Sequence, residues 1–175
     1  VKVVRSLDWE KEEEIIDMLM GVFEEIRMSR FDSMLLIASV VGEIGKYYPN
    51  FTTVTIDRLV EDIRASLAGE IEMSNQRRIM DVKFLGELFV YQCVDCQLIL
   101  TVLFMFIRYC PQQTERNETF RIRLVCTLLD SCARYISPKR QRDRYIMYLQ
   151  DYIFHLESRL PVDVEMMLAD TLDSI

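Results

Sequence analysis

The chain has 175 residues, half of them hydrophobic, with only five glycines and four prolines. That length is enough for one compact domain with a sizeable core. The shortage of turn-forming residues argues against a sandwich, a barrel or a disordered segment, and favours long helices. The 21 Lys and Arg against 28 Asp and Glu give a net charge of −7. Because phosphate backbones require clustered cations, this balance disfavours nucleic acid as the main ligand and favours basic partners.

Hydrophobic residues recur at spacings of three and four in the first half of the chain, which is the period of an amphipathic helix. Four helices are predicted there: one after Asp8, one from Asp32 to Pro49, one from a Thr52-Thr53 cap to Gly69, and one after Ser74. Gly86 lies in the middle of the fourth helix, where glycine costs about 1 kcal/mol relative to alanine. We therefore expect a neighbouring helix to approach closely at Gly86.

Four more helices are predicted in the second half. The fifth is capped by Asp95 and ended by Pro111, and a polar loop over 112–118 leads to the sixth. Pro138 breaks the chain before the seventh helix, and Asp163 is predicted to cap the last one.

The helices repeat at a regular interval. Alternate helices start near positions 9, 53, 95 and 140, about 42–45 residues apart, within the ~40–47 residues of HEAT and armadillo helix pairs. The prediction is an all-α protein: a single helical-repeat domain over 1–175, built as an α-solenoid of about four stacked antiparallel HEAT-like helix pairs. Because such a stack leaves a broad ridged surface for partners, the architecture favours binding over catalysis.

The cysteines indicate reduced thiols in a cytosolic or nuclear protein, because each lies in or beside an apolar stretch. The five are Cys93, Cys96, Cys110, Cys126 and Cys132. The longest apolar run, 98–107, is shorter than the ~20 residues that cross a bilayer. The chain begins at Val1 without an initiator Met, so we expect it to be an excised fragment of a longer protein.

Metal and catalytic sites are weaker interpretations than structural packing. Cys93 and Cys96 have the spacing of half a zinc ribbon, but the sequence offers no second pair of ligands. A redox role is also weak, because Asp95 inside the motif raises the thiol pKa. His155 is the single histidine and is predicted to be packed or half-exposed. We expect no metal, no cofactor and no enzymatic activity; a deep pocket gathering Cys93, Cys96 and His155 would favour an enzyme instead.

Two basic clusters support an alternative function, an RNA-binding helical-repeat module. They consist of Arg77 and Arg78, and of Lys139, Arg140, Arg142 and Arg144. Both clusters lie among acids such as Asp81 and Asp143, so solvated helix starts are the favoured explanation. RNA binding requires these cations to converge on one surface.

Acidic residues are the more informative set, and they lie on the third and fourth helices and at the turn that follows. They are Asp57, Glu61, Asp62, Glu87 and Asp95. Hairpin packing of the third helix on the fourth, and of the fifth on the fourth, would place these carboxylates in one field. The structural alternative is that Asp95 only caps a helix and that Glu61 pairs with Arg64 or Arg58.

Several strings of residues resemble the third domain of the up-frameshift suppressor 2 family of nonsense-mediated mRNA decay factors. They are the octapeptide from Asp57 to Arg64, the runs 75–79, 83–88 and 120–126, the pair Leu129-Asp130, and Asp170-Thr171-Leu172. Such domains are similar to the middle domain of translation initiation factor 4G, a stack of about five HEAT-like pairs. Four pairs fit this chain, and 1–5 resembles the tail of an earlier helix, so the first pair is expected outside it.

The resemblance implies a non-enzymatic adaptor in a cytoplasmic, including perinuclear, mRNA surveillance pathway. In the family this domain holds the RNA-recognition-motif domain of up-frameshift suppressor 3 and is linked to the phosphatidylinositol-kinase-like decay kinase. Other regions of the full protein bridge to the up-frameshift 1 helicase. By position, the implied contact residues are Glu87 and Asp95 first, with Tyr91 between them and Asp57, Glu61 and Asp62 beside them. The net charge agrees, because an RNA-binding sheet is cationic.

Overall fold

The computed structural model describes residues 2–7, 9–29, 33–108, 115–156 and 159–175, and the regular structure within these ranges is helical. The helices are α1 (Lys2–Arg5), α2 (Glu12–Ser29), α3 (Ser33–Gly45), α4 (Pro49–Ala68), α5 (Asn75–Val90), α6 (Cys96–Arg108), α7 (Glu115–Cys132), α8 (Lys139–Phe154) and α9 (Val162–Asp173). Short 3₁₀ turns span Trp9–Lys11 and Ala133–Tyr135. The predicted all-α helical-repeat fold is confirmed.

The helices form two layers. One layer contains α3, α5, α7 and α9, each packed against the next, and the contact between α5 and α7 is the most extensive in the described part of the chain. The other layer contains α2, α4, α6 and α8, and it is more loosely associated. Because α2, α4 and α6 also pack on α3, α5 and α7 respectively, the chain follows the hairpin order of a solenoid.

The core lies between the two layers and continues along the stack. Its largest fully buried side chains include Phe51 of α4, Leu85 of α5, Phe106 of α6 and Tyr145 of α8. The predicted inward face of the sixth helix is confirmed, since five residues of α7 are each at most 1% exposed: Ile122, Val125, Cys126, Leu129 and Cys132.

α5 and α7 approach each other closely at Gly86. A Cβ atom added to Gly86 would lie 2.6 Å from the Cβ atom of Ser131 on α7. Carbon atoms are normally 3.5–4.0 Å apart at contact. The close approach that the sequence predicted is therefore confirmed, and it fixes the position of the C-terminal half of α5.

Three predicted helix starts are wrong by a few residues. α4 begins at Pro49, three residues before the predicted Thr52-Thr53 cap, because proline suits the first helical turn, where its missing N–H is not needed. α9 begins at Val162 after Pro161, so Asp163 lies in the first turn and does not cap the helix. α7 begins at Glu115, inside the predicted loop. Pro111 and 112–114 lie outside the described residues.

No helix in the described ranges combines the length and the apolar character needed to cross a bilayer.

Candidate protein-binding surface

The chain reverses direction between α5 and α6 through residues 91–95. Gln92 adopts a positive φ of 61°, and the amide of Cys93 donates to the carbonyl of Leu88 at 2.9 Å, which closes the turn. The side chain of Asp95 then accepts a hydrogen bond from the amide of Leu98 at 2.7 Å. The predicted N-cap of this helix is confirmed, and it holds one carboxylate oxygen of Asp95 at the start of α6.

Glu87, Tyr91 and Asp95 lie at this same end of α5. Glu87 is half-buried in the last turn of the helix, Tyr91 is 37% exposed immediately after it, and Asp95 is exposed at the end of the turn. Asp95 forms no salt bridge with any residue that the structure describes. The end of α5 and the turn that follows thus present two carboxylates and a phenol ring within nine residues of sequence.

The side chain of Glu87 is partly shielded from solvent. Burial raises the pKa of its carboxyl group above the ordinary 4.5, and the positive charge of Lys83 one helical turn earlier opposes that rise. Glu87 also lies near the thiol of Cys132, whose pKa is raised to about 12 by burial, then by Cys96 and then by Glu87. A cation from a partner would therefore meet a partly desolvated carboxylate here, where an ion pair is stronger than in water.

Asp57 and Glu61 lie along the exposed face of α4. A groove of about 400 Å³ separates the N-terminal part of α4 from the 91–93 turn, and Thr53, Ile56 and Tyr91 are among the residues that line it. Asp57 follows Thr53 by one helical turn and Glu61 follows Asp57 by another, so both extend the stripe that begins beside Tyr91.

Glu61 is already paired within the chain. Arg64 donates to its carboxylate at 3.0 and 2.7 Å, and the same guanidinium donates to Glu70 at 2.8 Å. These hydrogen bonds lower the pKa of Glu61. The structural interpretation of Glu61 as a partner of Arg64 is therefore confirmed, whereas Arg58 pairs with Asp17 at 2.6 Å.

Asp62 does not lie with the other acidic residues. It lines a separate groove between α2 and α4, together with Glu24 and Arg58, and its carboxylate is 4.0 Å from Arg77. Neighbouring positions on a helix point about 100° apart, so Asp62 turns away from the stripe that carries Glu61. The expected position of Asp62 beside Asp57 and Glu61 is therefore wrong.

The arginines of the first basic cluster, Arg77 and Arg78, contact other residues of the same chain. Arg77 forms a salt bridge with Glu24 of α2 and lies 4.0 Å from the buried carboxylate of Asp81. The guanidinium of Arg78 is 5.9 Å from the centre of the Phe120 ring, and burial lowers the pKa of Arg78. Both arginines connect α5 to its neighbours.

The second basic cluster lies near the C-terminal end of α5, whereas Arg77 and Arg78 lie near its N-terminal end. Lys139, Arg140, Arg142 and Arg144 occupy the first turns of α8. Gln141, among them, lies 3.7 Å from the thiol of Cys96, just beyond the C-terminal end of α5. Because α5 has 16 residues, about 24 Å separates its two ends. The convergence that the RNA-binding alternative requires is therefore not found.

The cysteines and the histidine do not form a site in the described residues. Cys93 and Cys96 are half-buried and free, Cys126 and Cys132 are buried and free, and Cys110 lies outside the described ranges. Within those ranges no three His, Cys, Asp or Glu side chains are grouped as metal ligands. The side chain of His155 is 67% exposed, which is more open than the packed or half-exposed position predicted, and its Nδ1 lies 2.8 Å from the carbonyl of Asp151.

Sequence reasoning missed the ion-pair cluster of Arg77 with Glu24, Asp62 and Asp81. Arg77 and Asp81 are one turn apart on α5, but Glu24 and Asp62 come from α2 and α4, and their distance from Arg77 along the chain carries no signal of proximity. Sequence reasoning also missed an aromatic cluster on α6 and α8, in which Phe104 packs edge-on against Tyr145 and Tyr148.

Comparison with known proteins gives one family over almost the whole chain. Residues 2–174 match the model of the MIF4G domain. The chain is 30% identical, over 99% of its length, to "Regulator of nonsense transcripts 2" of Mus musculus and of Homo sapiens. It is 28% identical, over 97% of its length, to "Regulator of nonsense transcripts UPF2" of Arabidopsis thaliana. It spans 15% of the length of each of these relatives.

Proposed function

The chain belongs to the MIF4G domain family, and from that premise we propose that it is a non-enzymatic scaffold domain of a nonsense-mediated mRNA decay factor. Its relatives from mouse, human and plant carry names that refer to nonsense transcripts. The proposed ligand is the RNA-recognition-motif domain of up-frameshift suppressor 3, and the proposed binding surface is the group of Glu87, Tyr91 and Asp95 at the C-terminal end of α5.

The observation that carries the proposal is the grouping of Glu87, Tyr91 and Asp95 at one end of α5. A half-buried carboxylate, an exposed carboxylate and a half-exposed aromatic ring lie around one turn, and Asp57 continues the negative surface on α4. Tyrosine is enriched at protein interfaces and among the residues that contribute most to binding.

The charge of this surface suits a basic partner. Asp57 and Asp95 form no salt bridge with the described residues, in contrast to Glu61. An RNA-binding sheet presents Lys and Arg where phosphates would lie, so a rigid group of carboxylates can occupy the same positions. Complementary charge raises the association rate and fixes the orientation of the two domains.

The wider assembly is part of the same proposal. We assign the domain to the cytoplasm, where it would also meet the decay-pathway kinase, while other regions of the full protein bridge to the up-frameshift 1 helicase. Cys93 lines the groove beside Tyr91, while His155 lies at the end of α8.

The proposal is tested by calorimetric titration of the recognition-motif domain into variants that change charge but preserve the fold. Asp95→Asn keeps a side chain that caps a helix as well as aspartate does. Glu87→Gln keeps the size of the side chain. We expect the double variant to bind at least about tenfold more weakly, because each carboxylate loses a charged partner at a partly desolvated site.

The matched control is Glu14→Gln combined with Glu165→Gln, which removes two exposed carboxylates from α2 and α9. This control lowers the negative charge equally and should leave the affinity within about twofold, apart from long-range steering. Equal weakening by the two double variants would show that net charge acts without a site, and unchanged affinity in both would remove the surface from consideration.

A further inference from the structure

α6 carries a shallow groove whose apolar side chains are buried or half-buried and whose exposed side chains are polar. Six residues line a shallow groove of about 440 Å³ there: Gln97, Leu100, Thr101, Phe104, Met105 and Arg108. Their spacing of three and four places them on one stripe of the helix. Arg108, at the C-terminal end, is the one charged residue among the thirteen of α6. The groove therefore has a largely hydrocarbon floor with a cation at one end.

An aromatic cluster fixes that cation in place. The guanidinium of Arg108 lies 4.9 Å from the centre of the Phe104 ring and 5.5 Å from that of Tyr148 on α8. The ring of Phe104 is itself held edge-on by Tyr145, which is fully buried. A guanidinium stacked on rings keeps its N–H groups available at the edge, and Arg108 forms no salt bridge with a described residue.

Further cations flank the groove on α8. Arg144 precedes Tyr148 by one helical turn and Arg140 precedes it by two, so all three lie on one side of α8. Both arginines are exposed and, within the described residues, neither has an acidic partner, because Asp143 pairs with Arg142. Arg108, Arg140 and Arg144 thus lie on this side of a chain whose net charge is −7.

From this combination we propose that the groove of α6, with its rim on α8, docks an acidic amphipathic helix of a partner protein. Apolar residues at i, i+3 and i+7 of such a helix would fill the space over Leu100, Phe104 and Met105. Carboxylates along its flank would bind Arg108, Arg144 and Arg140. The inference does not rest on the proposed function, because it uses a different surface and the opposite charge.

Single-stranded RNA fits this groove less well. Its bases bind by stacking on free aromatic faces, but Phe104 and Tyr148 contact each other and Arg108 lies over both rings. The aliphatic part of the floor consists of the buried Leu100 and the half-buried Met105, which suit a leucine better than a base.

The test uses a synthetic amphipathic peptide of about sixteen residues built from leucine and glutamate, titrated into the chain by fluorescence anisotropy and followed by methyl NMR. Binding should shift the methyl signals of Leu100 and Met105. Arg144→Glu should weaken the peptide about tenfold or more, because it reverses a rim charge and leaves the stack of Arg108 intact. Lys11→Glu makes the same charge change in the exposed Trp9–Lys11 turn and should leave the affinity unchanged.

Two altered peptides, one further variant and an RNA oligonucleotide serve as controls. A peptide with lysine in place of glutamate and one with glutamine in place of leucine should both fail to bind. Met105→Lys, which adds positive charge but removes part of the apolar floor, should also weaken the acidic peptide. Equal binding by the lysine peptide, equal affinity of Arg144→Glu and Lys11→Glu, or stronger occupation of the same methyls by a uridine dodecamer would each overturn the proposal.

Discussion

Replacement of Gly86 by alanine tests the packing that positions the candidate surface. An added Cβ atom would lie 2.6 Å from the Cβ atom of Ser131, about 1 Å closer than normal carbon contact. Neither atom can rotate away, because a Cβ position is fixed by its backbone, so α5 and α7 must separate. Overpacking of this kind costs about 1–3 kcal/mol.

Two effects oppose that cost. Alanine is a better helix former than glycine by about 1 kcal/mol, partly because glycine leaves more freedom to the unfolded chain. The same substitution at Gly21, in the interior of α2, meets no atom within 4 Å and should therefore stabilise the fold by about 0.5–1 kcal/mol. Gly86→Ala should then be less stable than Gly21→Ala by about 1–3 kcal/mol, a difference that isolates the clash.

Urea denaturation followed by circular dichroism measures both variants on one scale. The double variant Gly86→Ala with Ser131→Gly lacks the opposing Cβ atom. Its loss in free energy of unfolding should therefore be smaller than the sum of the losses in the two single variants. If Gly86→Ala stabilised the protein as much as Gly21→Ala does, α5 and α7 would not approach as described, and the placement of Glu87 beside Cys132 would lose its support.

Two further predictions concern Asp95 and Glu87, at the C-terminal end of α5. Asp95→Ala should lower the free energy of unfolding by about 0.5–2 kcal/mol through loss of the α6 cap, whereas Asp95→Asn should change it little; equal effects in urea denaturation would mean that the cap does not matter. Because burial raises the pKa of Glu87 above 4.5, its neutral form favours the fold at low pH, and this contribution is lost as the pH rises through the folded-state pKa. Glu87→Gln should therefore gain stability relative to the parent chain between pH 4 and pH 7, and a constant difference across that range would contradict the assignment.

The sequence by itself determined the helices and their order. Apolar spacing identified α2 through α9, since each helix needs one apolar stripe to reach the core, and the Asp95 cap and the close approach at Gly86 followed from local chemistry. The start of α4 was misplaced because Pro49 was interpreted as the end of the preceding helix, although proline also occurs in the first turn of helices.

Only the tertiary structure decided which charges are available to a partner. Asp62 and Arg77 belong to an ion-pair cluster across three helices, Glu61 is paired with Arg64, and Asp95 has no such partner in the described residues. The aromatic stack under Arg108 joins residues about forty positions apart. Helical periodicity indicates only which side of a helix faces the core. Ion pairing and side-chain stacking depend on distances between helices, and those distances cannot be inferred from short stretches of sequence.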